Sequence, residues 1–154
     1  MHYWLFKSEP DCFSIDDLSS RPDKIAHWDG VRNYQARNML RDEIKAGDLV
    51  LFYHSSCIPP GIAGIVKVVK NGYPDFTAWD ANEHHFDPDS TPDKPRWFMV
   101  DVKFVEKFPR LLALDEMKQN SKLKDMQVLR KGNRLSITPV TEMEWNAIIK
   151  MVKG

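Results

Sequence analysis

The chain of 154 residues has 42% hydrophobic and 29% charged side chains, and its 22 basic residues balance its 22 acidic residues. This composition is typical of a soluble globular protein. The length predicts a single domain over residues 1–154 with a core of its own. A formal net charge of zero excludes a general polycation and gives no hint of a partner by itself.

Membrane association and compartment are constrained by equally simple features. No apolar run approaches the roughly 20 residues of a membrane span, so we expect no membrane contact. The only cysteines, Cys12 and Cys57, lack CxxC spacing and a secretory context, which indicates reduced thiols. We therefore expect a cytoplasmic protein, or a nuclear one if the source is a eukaryote.

The charge is distributed unevenly along the neutral chain. Residues 118–134 carry six Lys and Arg side chains against the single acid Asp125, whereas residues 71–95 carry six acids against the single base Lys94. A basic segment in a neutral protein is typical of a local phosphate-contacting surface. It is equally typical of an ordinary solvated face, and the sequence leaves both interpretations open.

The first half of the chain predicts three strands and two helices. Residues 3–7 are aromatic-rich and predict a short buried strand. Ser14 has the capping-box pattern of a helix N-terminus. An apolar stripe at helical spacing predicts a helix over 34–45. Continuous apolar runs then predict strands at 48–54 and 62–70.

The second half begins with a long irregular connection, residues 71–95, which is rich in prolines and acids. A connection of that length inside a compact domain is usually functional or mobile. Clean alternation of apolar and polar residues predicts a strand over 97–105. Two short helices, a short strand and a C-terminal helix are predicted at 111–117, 123–129, 135–140 and from 141 onward.

These elements amount to five or six strands with helices inserted between and after them. No alternation of strand and helix with a parallel-sheet signature appears. The predicted fold class is therefore α+β, with a small curved sheet or barrel flanked by helices.

Patterns typical of catalysis are weak in this chain. The adjacent pair His84–His85 is poorly spaced to chelate one ion, and neither cysteine pairs with a histidine at zinc spacing, so we expect no metal. Glycine patterns that bind phosphates or dinucleotides are absent, so we expect no cofactor. Cys57 near His54 remains conceivable as a nucleophile with its base.

The most suggestive stretch is Trp28–Asn38, WDGVRNYQARN. A flexible Gly30 precedes an arginine, two amides and a tyrosine, so the turn offers backbone N–H groups, an aromatic face and amide edges within a small volume. A flat heteroaromatic ligand such as a nucleobase needs those partners. The alternative is structural: Asn33 caps a helix while Trp28 and Tyr34 fill the core.

Polar residues at two strand ends are further binding candidates. Lys7 and Ser8 end the first strand, and 53–55 (Tyr-His-Ser) ends the second. The structural alternative for Lys7 and Ser8 is a strand end that reaches water, and for Tyr53 and His54 it is half-buried positions in the sheet. Trp79 lies in the long connection without apolar neighbours in sequence. It is either a lid residue folded onto the core or a ring offered to a ligand, where stacking on one base is worth roughly 1–3 kcal/mol.

With these residues assembled, the sequence resembles the EVE domain family over essentially its whole length. The resemblance is carried by several long motifs in order: YWLFKSEP at 3–10, WDGVRNYQARN at 28–38, FYHS at 52–55, YPDFTA at 73–78, PRW at 95–97, RLSITPV at 134–140 and EW at 144–145. Because the family has many small bacterial members, we expect a bacterial protein. The resemblance implies a PUA-like fold, a strongly curved β-barrel flanked by helices and related to the YTH and ASCH domains.

The resemblance also implies a pocket for a modified nucleobase in DNA or RNA, with a modified cytosine as the leading candidate. By similarity to YTH domains, the first strand end and the Gly30–Asn33 turn line the pocket mouth, with Ser55 and aromatic rings deeper. The implied ligand-binding set is Lys7, Ser8, Trp28, Gly30, Val31, Arg32, Asn33, Tyr34, Tyr53, His54, Ser55 and Trp79. Lys131 and Arg134 are the implied phosphate contacts.

Three hypotheses therefore stand. The first is a non-catalytic reader whose partner is DNA or RNA carrying a modified, flipped base. The second is a small enzyme that acts on a nucleotide or amide with His54 or Cys57. The third is a protein-interaction module that uses exposed aromatic residues. The sequence indicates no obligate protein partner.

Overall fold

The computed structural model describes residues 1–153, which form one mixed β-sheet and four α-helices. The strands are β1 Tyr3–Ser8, β2 Ile25–His27, β3 Leu49–His54, β4 Gly61–Pro74, β5 Phe98–Ala113 and β6 Ile137–Val140. The helices are α1 Ile15–Ser19, α2 Tyr34–Asn38, α3 Leu114–Lys118 and α4 Glu142–Lys153. This confirms the predicted α+β class with six strands and flanking helices. None of the helices in the described residues is both long enough and apolar enough to cross a membrane.

The six strands lie in the order β2-β5-β4-β3-β1-β6. β1 and β3 are parallel, and the other neighbours are antiparallel. The two longest strands, β4 and β5, change register several times along their pairing, and such bulges bend a strand and increase its twist. The sheet is therefore curved, as the sequence predicts.

Both faces of the sheet are covered, which explains the continuous apolar runs of β1 and β3. Phe6 and Phe52 belong to one core cluster, whereas their neighbours Leu5 and Leu51 belong to a second cluster on the opposite face. Successive side chains of a strand point to opposite faces. The sheet thus separates two cores, and a residue's position in β1 or β3 decides which core it joins.

Several local predictions are confirmed. The Ser14 side chain accepts a hydrogen bond from the Asp17 N–H while the Asp17 carboxylate accepts one from Ser14, so the capping box of α1 is complete. β1 and β3 lie where the apolar runs predict them, within a residue at each end. α4 begins one residue after Thr141, and the Thr141 hydroxyl accepts a hydrogen bond from the Glu144 N–H.

The predicted helix over 34–45 is wrong in its second half. α2 ends at Asn38 and continues as one turn of π-helix, Met39–Glu43, whose wider ring is closed by the Ile44 N–H donating to the Met39 carbonyl at 2.8 Å. The Leu40 carbonyl lies so close to Gly72 of β4 that a Cβ there would approach it within 2.1 Å. Tertiary packing has overridden helix propensity here.

The boundaries of later elements also differ from the prediction. β5 runs to Ala113, so the helix predicted at 111–117 begins only at Leu114. The reason is nonlocal: Leu112 and Ala113 pair with the first residues of β4. The helix predicted at 123–129 is instead two turns of 3-10 helix, Ser121–Leu123 and Gln127–Leu129.

Candidate nucleic-acid interface

The ends of β1 and β3 lie side by side. Lys7 is paired with Tyr53 and Ser8 with His54 in the parallel register. The Ser55 N–H donates to the Ser8 carbonyl at 3.0 Å, so the chain stays attached to β1 after β3 ends. The structure therefore brings together the two polar strand ends that the sequence nominates separately.

The side chains at these strand ends divide between the two faces of the sheet. Ser8 and His54 lie on the face of Phe6 and Phe52, whereas Tyr53 belongs to the opposite core and is only 4% exposed. Burial raises the pKa of Tyr53 to about 12, so its phenol is neutral at physiological pH. Burial also lowers the pKa of the Lys7 ammonium, which lies on the Tyr53 side.

Beneath Ser8 and His54 lies an aromatic cluster formed by Phe6, Phe13, Trp28 and Phe52. The Trp28 ring centroid lies 5.3 Å from that of Phe6 and 5.4 Å from that of Phe52. The Ser8 hydroxyl donates to the Phe13 carbonyl at 2.5 Å, which fixes the chain after β1 over the cluster. Trp28 is 8% exposed, so it combines a core role with a position next to the strand ends.

His54 is held as a neutral acceptor. Its Nε2 accepts a hydrogen bond from the Ile15 N–H at the start of α1, at 3.2 Å. Burial lowers the pKa of His54. The Cys57 thiol lies 3.6 Å from the Pro59 carbonyl, and no hydrogen bond joins it to His54 among residues 1–153. Because the Nε2 lone pair is engaged, His54 is not placed to activate Cys57 as a nucleophile.

The Gly30–Tyr34 turn is bound by the long connection rather than by the strand ends. Asp75, which is fully buried, accepts hydrogen bonds from the Gly30 N–H at 2.9 Å and from Arg32 Nη1 at 3.0 Å. Arg32 also donates from Nε and Nη2 to the His85 carbonyl at 3.0 and 2.6 Å. The connection thus folds over the turn and engages most donors of the Arg32 guanidinium.

Asp75 is an ionised carboxylate despite its burial. Burial alone would raise its pKa, but hydrogen bonds from Thr77, Gly30 and Arg32 outweigh that effect and hold the pKa below its ordinary value. Gly30 adopts φ +79°, and a Cβ there would come within 2.5 Å of the His85 ring. The glycine is therefore required both by its backbone conformation and by the approach of the connection.

The remaining turn residues have separate roles. Val31 lies in the core. Asn33 is the N-cap of α2, and its Oδ1 accepts a hydrogen bond from the Ala36 N–H at 3.0 Å. Tyr34 is 53% exposed rather than in the core, and it stacks on Trp97 with ring centroids 4.9 Å apart. The structural alternative is thus correct for the Asn33 cap and wrong for burial of Tyr34.

Trp79 ends a turn of 3-10 helix, Phe76–Trp79, inside the connection. It is half-buried, and its indole N–H is buried without a hydrogen-bond partner among the described residues. A buried donor without an acceptor costs about 1–3 kcal/mol. The ring is half-buried in this conformation, and the choice between a lid residue and a ring offered to a ligand stays a prediction.

The basic residues Lys131 and Arg134 lie on the turn that leads into β6, and both are exposed. The Lys7 N–H donates to the Ser136 carbonyl at 2.8 Å, which places this turn at the same end of the sheet as Lys7 and Ser8. None of the six basic side chains between 118 and 134 forms an ion pair within residues 1–153. The cations are therefore available to an external anion.

Comparison with known proteins identifies the family. The sequence matches the EVE domain over residues 2–151. The chain belongs to the EVE domain family. The family prediction is thereby confirmed, together with its PUA-like fold.

EVE proteins similar to this chain come from bacteria and eukaryotes. Human thymocyte nuclear protein 1 is 45% identical, covering 97% of this chain and 73% of the human protein. A solved Pseudomonas syringae protein is 52% identical with a TM-score of 0.91, covering 97% of this chain and 98% of that one. The bacterial source stays a prediction, because bacterial and eukaryotic relatives both match the chain.

Two of the similar solved structures contain nucleic acid, DNA in one and RNA in the other. Human THYN1 in complex with 5-methylcytosine-containing DNA is 43% identical with a TM-score of 0.93, covering 100% of this chain and 99% of that one. The YTH domain of Zygosaccharomyces rouxii MRB1 is 13% identical with a TM-score of 0.55. The second similarity shows a shared fold only.

The EVE fold gives structural importance to residues that the sequence analysis did not nominate as site residues. Asp75 accepts hydrogen bonds from the Gly30–Tyr34 turn and Trp97 stacks on its Tyr34 ring, while Phe13 completes the aromatic cluster. One local signal for Asp75 exists. An aspartate two residues before a threonine suits an Asx turn, and Asp75 does accept from the Thr77 N–H at 2.9 Å. Its bonds to Gly30 and Arg32 leave no local pattern.

Proposed function

We propose that this EVE domain is a non-catalytic reader that binds nucleic acid through a modified, flipped base, with a modified cytosine in DNA as the leading candidate. The relative that supports this proposal is the 43%-identical human THYN1 protein, whose complex contains 5-methylcytosine DNA. A site that combines serine hydroxyls with aromatic rings and shows no activated nucleophile among residues 1–153 is consistent with ligand recognition rather than catalysis.

The observation that carries the proposal is the combination found at one end of the sheet. Ser8 and Ser55 offer polar groups there, the aromatic cluster lies beneath them, and Lys131 and Arg134 are cations at the same end that form no ion pair within residues 1–153. A flipped base needs hydrogen-bonding groups and an aromatic surface, while its backbone needs positive charge.

Each nominated residue has a proposed role. Lys7, Ser8 and Ser55 form the mouth, Trp28 supports the base from below, and Tyr53 and His54 hold the strand ends in place. The second rim is the turn formed by Gly30, Val31, Arg32, Asn33 and Tyr34. Trp79 closes over the site as a lid, and its buried indole N–H has no hydrogen-bond partner among residues 1–153. Lys131 and Arg134 contact phosphates.

The energetics of this arrangement balance. Extruding a base from a stack costs a few kcal/mol. Stacking on an aromatic ring returns roughly 1–3 kcal/mol per base. Phosphate contacts add a favourable, salt-sensitive contribution. A neutral protein with a local basic surface therefore has enough binding energy without a large net charge.

The test is a binding titration with matched oligonucleotides that carry cytosine or 5-methylcytosine at one position. The variants are Asn33→Ala and Trp28→Phe. Trp28→Ala is avoided because truncating a core aromatic residue costs about 3–5 kcal/mol in stability. Lys153→Gln, which removes a cation that is already paired with Glu106 and is not a nominated site residue, is the control.

We expect the wild type and Lys153→Gln to prefer the modified oligonucleotide, and Asn33→Ala and Trp28→Phe to lose part of that preference. An unchanged preference in both site variants would refute the residue assignment. Equal binding of both oligonucleotides by the wild type would refute the reader function for this modification.

A further inference from the structure

Ile58 is an apolar side chain held entirely in solvent. Its relative exposure is 101%, the largest among the exposed large hydrophobic residues of the described chain. It lies in the connection between β3 and β4, defined here as the tip loop, residues 55–60. Isolated exposed apolar residues are common, so the location and rigidity of this one decide whether it has a role.

The tip loop is fixed at both of its ends. At one end the Ser55 N–H donates to the Ser8 carbonyl at 3.0 Å, and at the other end the Leu114 N–H donates to the Pro60 carbonyl at 2.9 Å. Pro59 and Pro60 follow Ile58 directly, and each proline ring restricts its own φ. The loop therefore presents Ile58 on a stiff support rather than on a mobile segment.

The tip loop also projects from the end of the sheet that carries the proposed base site. His54, the last residue of β3, is paired both with Ser8 of β1 and with Gly61 of β4. The basic turn that holds Arg134 reaches the same end, because Ser136 accepts a hydrogen bond from the Lys7 N–H. An apolar tip, polar strand ends and cations without an ion-pair partner among the described residues thus share one end of the molecule.

We propose that Ile58 is a wedge that enters the base stack of duplex DNA and fills the place of the base taken into the site. Proteins that bend or open a duplex insert apolar side chains such as Ile, Leu or Phe between base steps. A fixed, fully exposed isoleucine beside a site for a flipped base has that geometry. The proposal rests on the reader function and identifies the ligand as double-stranded DNA.

The experiment compares Ile58→Ala with wild type on two probes that carry the same single 5-methylcytosine: a duplex and the matching single strand. A single strand has no partner strand and no gap to fill, so a wedge matters only for the duplex. The control variant is Met143→Ala. Met143 is 60% exposed near the start of α4. α4 follows β6, and the last residue of β6, Val140, pairs with Tyr3 at the start of β1. Met143 therefore lies toward the end of the sheet opposite to the tip loop.

We expect Ile58→Ala to weaken duplex binding about tenfold, because the gap left by the flipped base is then unfilled, and to leave single-strand binding within about twofold. When a fluorescent base analogue is placed opposite the 5-methylcytosine, the increase in its fluorescence on protein binding should be smaller with Ile58→Ala than with wild type. Met143→Ala should match the wild type on both probes. Because Ile58 is exposed, the unfolding midpoint of Ile58→Ala should match that of the wild type.

Two results would overturn the wedge. Unchanged duplex binding by Ile58→Ala would show that nothing is inserted, and an equal loss on both probes would make Ile58 an ordinary contact of the strand. In both cases the wild type's preference for the modified base would stand, and the reader function with it. If the wild type shows no preference in the separate titration with matched cytosine and 5-methylcytosine oligonucleotides, the reader function itself fails.

Discussion

Asp75 is the residue whose removal should most disturb the Gly30–Tyr34 turn. Its carboxylate accepts hydrogen bonds from the Gly30 N–H, from Arg32 Nη1, and from both the N–H and the hydroxyl of Thr77. Asp75→Ala removes every one of these acceptors. It leaves the Arg32 guanidinium with the His85 and Val31 carbonyls as its hydrogen-bond acceptors.

The size of the effect follows from burial. Removing one partner of a buried ion pair costs about 3–5 kcal/mol. The Arg32 side chain is 21% exposed while that of Asp75 is fully buried, so water relieves part of the penalty on the arginine. We expect Asp75→Ala to lower the free energy of unfolding by about 3 kcal/mol, a large part of the 5–15 kcal/mol typical of a domain.

Urea denaturation at neutral pH measures this loss. Asp75→Asn keeps one oxygen acceptor without the charge, so its loss should lie between those of wild type and Asp75→Ala. The control is Asp89→Ala. The Asp89 side chain is 71% exposed, and its ion pair with Arg96, at 3.6 Å, is a surface pair. Its removal should change the free energy of unfolding by no more than about 0.5 kcal/mol. If Asp75→Ala were as mild as Asp89→Ala, the proposed anchoring of the turn would be refuted.

Three further predictions follow from individual contacts. Burial lowers the pKa of His54 from its ordinary 6.5, so the unfolded chain takes up a proton first, and stability should fall as pH drops below about 6.5; urea midpoints at pH 7.5 and 5.5 should differ less in His54→Gln than in wild type, and an equal difference would contradict the neutral-acceptor role. Asn33→Ala removes the cap of α2 and should cost about 1 kcal/mol by urea denaturation, whereas a stability equal to wild type would show that the cap is dispensable. Arg134→Gln should weaken modified and unmodified oligonucleotides alike and reduce the salt slope of binding by about 1, whereas a change in their ratio would make Arg134 a base contact.

Features that depend on nearby residues were predictable from the sequence. The capping box at Ser14 and the cap at Asn33 are each completed within three residues. The apolar runs of β1 and β3 reveal strands covered on both faces. β2 has only three residues and exists through its pairing with β5, so no local pattern indicates it.

The candidate site was predictable in its parts but not in its arrangement. Period-two alternation implies that Lys7 and Ser8 face opposite sides of β1, so the two side chains flank the end of the strand rather than share one face. The bond from Asp75 to Gly30 joins residues 45 positions apart, and the exposure of Tyr34 depends on its stack with Trp97. Such pairings become visible only when the long connection is folded onto the turn.

The reader function is tested most directly by the affinity ratio between a duplex with one 5-methylcytosine and the same duplex with cytosine, measured at two salt concentrations. We predict that the ratio stays well above one at both, because the base contacts are uncharged. Both affinities should fall with rising salt, because cations such as Lys131 and Arg134 contact phosphates. A ratio of one at both salt concentrations would contradict recognition of this modified base.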